Sequence, residues 1–221
     1  MTPEVWDWGA WACDNKGVSQ YFAIHPENPQ PRLLARAAEI IAGGGVVVYP
    51  TDTTYALGCQ IGEKSALDRI RQIRRLDKGH HFTLTCRDLS AIAVYARVDD
   101  ASFRLLKRCT PGPFTFLLPA TREVPRRLVH EKKKTIGIRI PDHPVALGLL
   151  EMLEVPMMTT TMLLPGDDVP MTDPEDIRER LEHAVDLVID SGNGGLVPTT
   201  VVDLTGPAPE VVREGAGRFE L

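Results

Sequence analysis

The run Val46-Val47-Val48-Tyr49 stops at Pro50 and opens into Thr51-Asp52-Thr53-Thr54-Tyr55. A short, continuous β-branched and apolar run is the pattern of a strand buried on both faces. Proline has no amide hydrogen to give a neighbouring strand, so the chain leaves the ladder there. The strand therefore carries hydroxyls and one carboxylate to a sheet edge, where they can meet a ligand. An ordinary polar turn after a strand has the same composition, and recurrence is what separates the two readings.

Three further segments repeat the pattern. Thr115 interrupts the apolar stretch Phe114–Leu118 just after Pro111-Gly112-Pro113, Thr159-Thr160-Thr161 follow Pro156-Met157-Met158, and Thr199-Thr200 open the stretch TTVVDL. Threonine suits the pleat, so any one of these is equally well structural. Interleaved with Arg74, Arg139 and Arg213 near other element ends, they suggest one polar, cation-rimmed groove suited to an anionic small molecule.

The rest of the chain alternates between helical and extended patterns. Pro31 at a first turn, then Leu34, Ala37, Ala38 and Ile41, predicts a helix that Gly43-Gly44-Gly45 stops. Ser65 and Asp68 form a capping-box pattern for a helix that Leu67, Ile70 and Ile73 carry to about Leu76. FTLTC, TFLL, TIGIRI and MMTTT read as strands, with helices over residues 89–96, 101–108 and 143–154 between them. Asp173 caps a last helix that begins at Pro174. DLVID, TVVDL and EVVRE then follow as closing strands, and such a consecutive run implies antiparallel neighbours. The expected fold is α/β, a twisted open mixed sheet flanked by helices. Gly-rich phosphate loops of the GxxxxGK[ST] or GxGxxG kind do not occur.

With 221 residues, 43% of them hydrophobic, and no linker or repeat, the chain reads as one domain over residues 19–221 after an N-terminal extension, 1–18. That extension holds Trp6, Trp8 and Trp11 and is compositionally unlike the remainder; the natural start is expected at Val18. The apolar runs fall short of the ~20 residues a bilayer needs. Cysteines 13, 59, 86 and 109 show no CxxC spacing, so reduced thiols and a cytoplasmic location are expected. No signal-peptide pattern opens the chain.

PTDTTYALG, PGPFTFLL, IGIRIPDHP, TTVVDL and REG occur in this order over residues 19–214. The ordered set resembles the YrdC-like threonylcarbamoyl-AMP synthase family, and the stretches SQYFAIHPENPQPRLLARA and KKKTIGIRIP are similar to its YciO branch. The resemblance implies an activity: threonine, bicarbonate and ATP, with magnesium as the nucleotide's companion and no tightly held cofactor or metal, give threonylcarbamoyl-AMP and pyrophosphate for tRNA modification. It places Thr51, Thr53 and Tyr55 on the amino-acid and carbonate side. Arg74, Thr115, Arg139, Thr159, Thr160, Thr161, Thr199, Thr200 and Arg213 fall on the nucleotide side, with Arg74 and Thr53 the closest to catalytic roles. That chemistry asks for positioning and charge neutralisation rather than a protein nucleophile. Arg139 has a structural alternative, an ion pair with Asp142 or Asp203.

Departures from the family pattern are specific. Gln72 stands where the synthases have lysine, Leu163 and Pro165 replace polar residues, Cys86 replaces a histidine and Phe82 a proline. His80 and His81 are inserted nearby, and Asp167 and Asp168 follow Pro165-Gly166; two adjacent histidines on an extended chain point apart and make a poor metal site.

Two other functions stay open. Arg122, Arg126, Arg127, His130, Lys132, Lys133, Lys134 and Arg139 form a basic block in a chain of formal net charge -5. Such a block can neutralise the phosphates of double-stranded RNA or tRNA, and the resemblance permits that partner, with Arg126, Arg127, Lys132, Lys133 and Lys134 as the contacts. The groove could also hydrolyse an adenylate or a threonylcarbamoyl compound.

Overall fold

The computed structural model describes residues 17–77, 80, 82–130 and 132–220; the tryptophans of the extension and His81 lie outside them. The strands are β1 (Gln20–Ala23), β2 (Val47–Tyr49), β3 (Ala56–Gln60), β4 (Thr83–Thr85), β5 (Phe114–Pro119), β6 (Thr135–Arg139), β7 (Met157–Thr161), β8 (Leu187–Asp190), β9 (Thr200–Asp203) and β10 (Glu210–Arg213). The helices are α1 (Pro31–Ala42), α2 (Lys64–Ile73), α3 (Leu89–Tyr95), α4 (Asp100–Cys109), α5 (Pro144–Leu153) and α6 (Pro174–Leu181). All ten strands form one mixed sheet in the order β1-β8-β2-β3-β7-β4-β6-β5-β9-β10.

The predicted periodicities form where burial rewards them. Leu34, Ala37, Ala38 and Ile41 are the buried stripe of α1, and Gly44 turns the chain out of that helix at φ +87°. Asp173 caps α6 by accepting from the Glu175 amide at 2.8 Å. Helix α2 departs from expectation. Glu63 precedes its first turn without a side-chain cap, and Ser65 lies inside the helix. Asp68 is drawn instead to Lys64 at 2.9 Å and Arg71 at 3.4 Å, so ion pairing along the helix displaces the expected capping box. The helix ends at Ile73 rather than Leu76 because Arg75 turns left-handed, at φ 47°.

Two strands had no clear sequence signal. β1 is a short, half-exposed edge, and β3 reads ALGCQ, poor in strand formers. Gly58 in β3 is there for space: a Cβ would come within 2.7 Å of Met157 Cε and 2.9 Å of Tyr49 Cε1. The closing strands are only partly antiparallel neighbours. β9 and β10 pair that way, but β8 crosses to the far edge and runs parallel to both β1 and β2.

The sheet is clothed unequally. On one face, Leu67 and Ile70 of α2, Ile92 of α3, Leu106 of α4 and Ile177 and Leu181 of α6 pack on Leu57, Leu84, Phe116, Ile138, Met158 and Val202. On the other, α1 and α5 pack over Val47, Tyr49, Ala56, Met157, Leu187 and Ile189. The second cluster draws nothing from β4, β5, β6 or β9. Because side chains alternate along a strand, the residues that these four strands turn to that face are Thr83, Thr85, Thr115, Leu117, Pro119, Thr135, Gly137, Arg139, Val201 and Asp203. Neither α1 nor α5 packs on them, and most of them are polar.

Candidate functional site

Strand pairing brings these side chains into one strip. Gly137 lies opposite Thr83 on one side and Leu117 on the other. A Cβ at Gly137 would meet Thr83 Oγ1 at 3.3 Å and Thr115 Cγ2 at 3.4 Å, so glycine keeps the floor low. Thr159 joins from β7, sharing a hydrogen bond with Thr85 at 2.8 Å and donating to the Thr83 carbonyl at 3.2 Å.

At one end of the strip the loop after β2 folds back on itself. Thr51 Oγ1 donates to the Thr54 carbonyl at 2.7 Å and lies 3.1 Å from Thr53 Oγ1. Arg139 reaches across from β6, pairing with Asp52 through Nη2 and donating from Nη1 to Thr53 Oγ1 at 3.5 Å. Its partner is thus Asp52 rather than Asp142 or Asp203. Among the described residues, Asp52 Oδ2 and Arg139 Nε are buried without a partner. The Tyr49 hydroxyl is buried with the Thr85 and Thr159 hydroxyls beside it, and burial pushes its phenol up against the opposing pull of those two groups. Unpaired buried polar atoms cost free energy, so two of them on one ion pair mark a place where polar partners are wanted.

On β5, the strand beside that of Arg139, Thr115 shares a hydrogen bond with Thr199 at 2.8 Å. Arg213 Nη2 donates to the Thr199 carbonyl at 2.8 Å and to its hydroxyl at 3.2 Å. Burial lowers the Arg213 pKa, but a guanidinium keeps its charge throughout the working range. Past Leu117 and Gly137 the strip deepens into a cavity of about 240 Å³. Phe82, Leu128, Ile136 and Val212 line it, with His130, Lys133, Thr135 and Asp203 at its polar side.

Four expected residues lie elsewhere. Thr160 and Thr200 alternate to the opposite face, where Thr200 Oγ1 donates to the Gly217 carbonyl at 2.6 Å. Tyr55 is fully buried, its hydroxyl donating to the Gly192 carbonyl at 2.7 Å, and burial pushes it up to about 12. Arg74, at the end of α2, donates to the Leu163 carbonyl and to Thr160 Oγ1, each at 2.6 Å, and burial lowers its pKa. His80 Nε2 lies 3.3 Å from the same Thr160 hydroxyl. Thr161, half-buried, shares the strip's parity at the end of β7. Asp167 is held by Arg180 at 2.9 Å. Burial drives the Cys59 and Cys86 thiols up to about 12, which leaves neither a nucleophile at neutral pH.

The basic block divides. Arg139 belongs to the strip, Lys133 pairs with Asp203 at 3.4 Å, and Arg127 bonds the Gly62 carbonyl. Arg122, Arg126, Lys132 and Lys134 are exposed. Sequence reasoning passed over Thr83, Thr85, Gly137 and Asp203 as site residues. The alternation in FTLTC was the available signal for the first two.

Among the described residues no three His, Cys, Asp or Glu side chains gather as a metal site, and Asp52 is already engaged by Arg139. None of their helices is long and apolar enough to cross a membrane.

The Sua5/YciO/YrdC family model, described as "Telomere recombination", matches residues 39–215. The uncharacterized protein YciO of Escherichia coli K12 is 56% identical over 200 residues, 90% of this chain and 97% of that protein. The crystal structure of E. coli YciO matches with a TM-score of 0.87 over the same shares of the two chains. A threonylcarbamoyl-AMP synthase of Pyrococcus abyssi is 30% identical over 181 residues, 81% of this chain and 53% of that protein. The crystal structure of P. abyssi Sua5 complexed with L-threonine has a TM-score of 0.82 at 28% identity, covering 89% of this chain and 58% of that one. The open mixed sheet, its order of elements and the family match agree: this chain belongs to the Sua5/YciO/YrdC family.

Proposed function

We propose that the strip binds ATP and a small amino acid side by side and forms threonylcarbamoyl-AMP from threonine, bicarbonate and ATP. The observation that carries this reading is the polar strip on which neither α1 nor α5 packs, with the guanidinium groups of Arg139 on β6 and Arg213 on β10 flanking the hydroxyls of Thr115 and Thr199. Arg139 and Thr53 suit a carboxylate, while Arg213, Thr199 and Thr115 suit phosphate oxygens. The P. abyssi Sua5 crystallised with L-threonine supports the amino-acid side.

In the reaction, the threonine amine takes up carbon from bicarbonate with loss of water, giving a carbamate. A carbamate oxygen then attacks the α-phosphorus as the bond to pyrophosphate breaks. This chain's residues hold the two anions at reacting distance and neutralise charge that grows in the transition state. Magnesium belongs with the triphosphate, and no step is assigned to a protein-held ion.

Pyrophosphate release that needs both threonine and bicarbonate is the expected result. Arg139→Ala and Arg213→Ala should each reduce it roughly 100-fold. ATP binding without threonine-dependent pyrophosphate would remove the synthase reading and favour hydrolysis of an adenylate or threonylcarbamoyl compound.

Duplex RNA is the second reading, favoured by the exposure of Arg126, Lys132 and Lys134. Its test is affinity that falls steeply with added salt and disappears when Lys132, Lys133 and Lys134 become alanine. Binding that persists in high salt would contradict it.

A further inference from the structure

Tyr55 is fully buried, and what its hydroxyl holds is a turn at the other edge of the sheet. The hydroxyl donates to the Gly192 carbonyl at 2.7 Å and accepts from the Ser191 amide at 3.2 Å. Asp190, the last residue of β8, grips the same turn: Oδ1 accepts from the Gly192 amide at 2.9 Å, and Oδ2 accepts from the Tyr21 hydroxyl of β1 at 2.9 Å. The Ser191 hydroxyl donates to the Ile24 carbonyl at 2.8 Å. Burial pushes the Tyr55 phenol up to about 12, so it is a donor at neutral pH. These hydrogen bonds fix residues 190–192, a turn that contributes nothing to the strip.

The turn leads directly to Thr53. Gly194 lies against the Tyr55 ring, where a Cβ would come within 2.7 Å of Cδ2, and Gly195 lies against the Thr53 carbonyl, where a Cβ would come within 2.1 Å. The Gly194 amide donates to the Thr172 carbonyl at 2.8 Å, which fastens the segment there. Hydrogen bonds from Thr51 within residues 51–54 give that loop its shape, and the two glycines give it its place. Thr53 is thus braced at its carbonyl while its hydroxyl meets Arg139 at 3.5 Å. Thr199, four residues beyond Gly195, has anchors of its own. It is bonded to Thr115 and Arg213, the Thr200 amide donates to the Pro113 carbonyl at 3.0 Å, and the Ala216 amide donates to the Pro198 carbonyl at 2.8 Å. Leu196 and Val197, both exposed, separate the two anchorages. A displacement of residues 190–195 therefore reaches Thr53 and stops short of Thr199.

Resting on the synthase reading above, we propose that Tyr55 and Asp190 are positioning residues for the amino-acid end of the site. Acting through Gly194 and Gly195, they set where the Thr53 hydroxyl stands relative to Arg139, and they touch neither substrate. Loosening the turn moves Thr53 and weakens the amino acid. The nucleotide end, held by its own bonds, is unaffected.

Titration calorimetry with threonine and with ATP separates the two ends. Tyr55→Phe keeps the ring on Gly194 and removes only the hydroxyl; it should weaken threonine roughly threefold to tenfold and leave ATP unchanged. Gly195→Ala forces the backbone off the Thr53 carbonyl and should weaken threonine roughly tenfold or more, again without changing ATP. Asp190→Ala should resemble Tyr55→Phe, whereas Asp190→Asn, whose amide can serve both the Gly192 amide and the Tyr21 hydroxyl, should restore threonine affinity. Circular dichroism identifies the variants that fold. A merely structural role would lower the fraction of competent protein for both ligands together, and a shift in threonine affinity alone is not that signature. Folded Tyr55→Phe and Gly195→Ala that bind threonine as wild type does, or that lose threonine and ATP equally, overturn the positioning role and leave the synthase reading standing. Wild-type protein that binds no threonine removes both.

Discussion

Asp52 and Arg139 show only 10% and 9% of their side-chain surfaces to solvent, so neither charge can fall back on water if the other is removed. Breaking such a pair from one side costs about 3–5 kcal/mol. Asp52→Asn is therefore expected to lower the melting temperature by roughly 6–20 °C, and Asp52→Ala with Arg139→Met should cost less than the two single losses added together. An Asp52→Asn protein that melts with the wild type would assign the pair no stabilising role. The identity of the partner was beyond sequence reasoning. Asp142 and Asp203 are near Arg139 in the chain or in motif, yet the carboxylate that meets it comes from a loop 87 residues away. Thr159 and Thr160 make the same point: adjacent and chemically identical, they face opposite sides of β7, one toward Thr85 and the other toward Arg74.

Capping aspartates start α3, α4 and α6. Asp88 Oδ1 accepts the Ala91 amide at 2.8 Å, and that bond, with Arg87 beside it, holds the carboxyl below its usual range. The folded state thus takes up this proton less readily than the unfolded one. Its contribution to stability is complete above the unfolded value of about 3.9 and disappears as pH falls through the folded pKa. Asparagine also caps but does not titrate. Asp88→Asn should therefore leave stability near pH 7 almost unchanged and flatten its decline below pH 4 in urea melts; a decline as steep as wild type would exclude Asp88 from the acid response. Asp173→Ala, which removes the bond to the Glu175 amide, should cost about 1 kcal/mol at any pH well above 4. At this scale the helices with apolar stripes and Pro or Asp starts were legible, because those signals are local. β3 was not, because its glycine answers to Met157 and Tyr49 rather than to its own neighbours.

At the scale of the molecule, among the described residues α2, α3, α4 and α6 pack on one face of the sheet and α1 and α5 on the other, and the strands that α1 and α5 leave free hold the polar strip. A ligand that binds this strip only in the folded state must stabilise the fold. ATP at 100 times its dissociation constant should add about 2.7 kcal/mol, a rise in melting temperature of roughly 5–11 °C; no rise under saturating ATP would count against the site. The sequence alone determined the class of fold, the caps and stripes of its helices, and the hydroxyl-rich strand ends, since each depends on spacing of 2 or 3.6 residues along the chain. Which hydroxyls share a face, which aspartate meets Arg139 and where the cavity opens were decided by strand order. Strand pairing joins segments far apart in the chain, and a shift of one residue in any register would send every side chain of that strand to the other face.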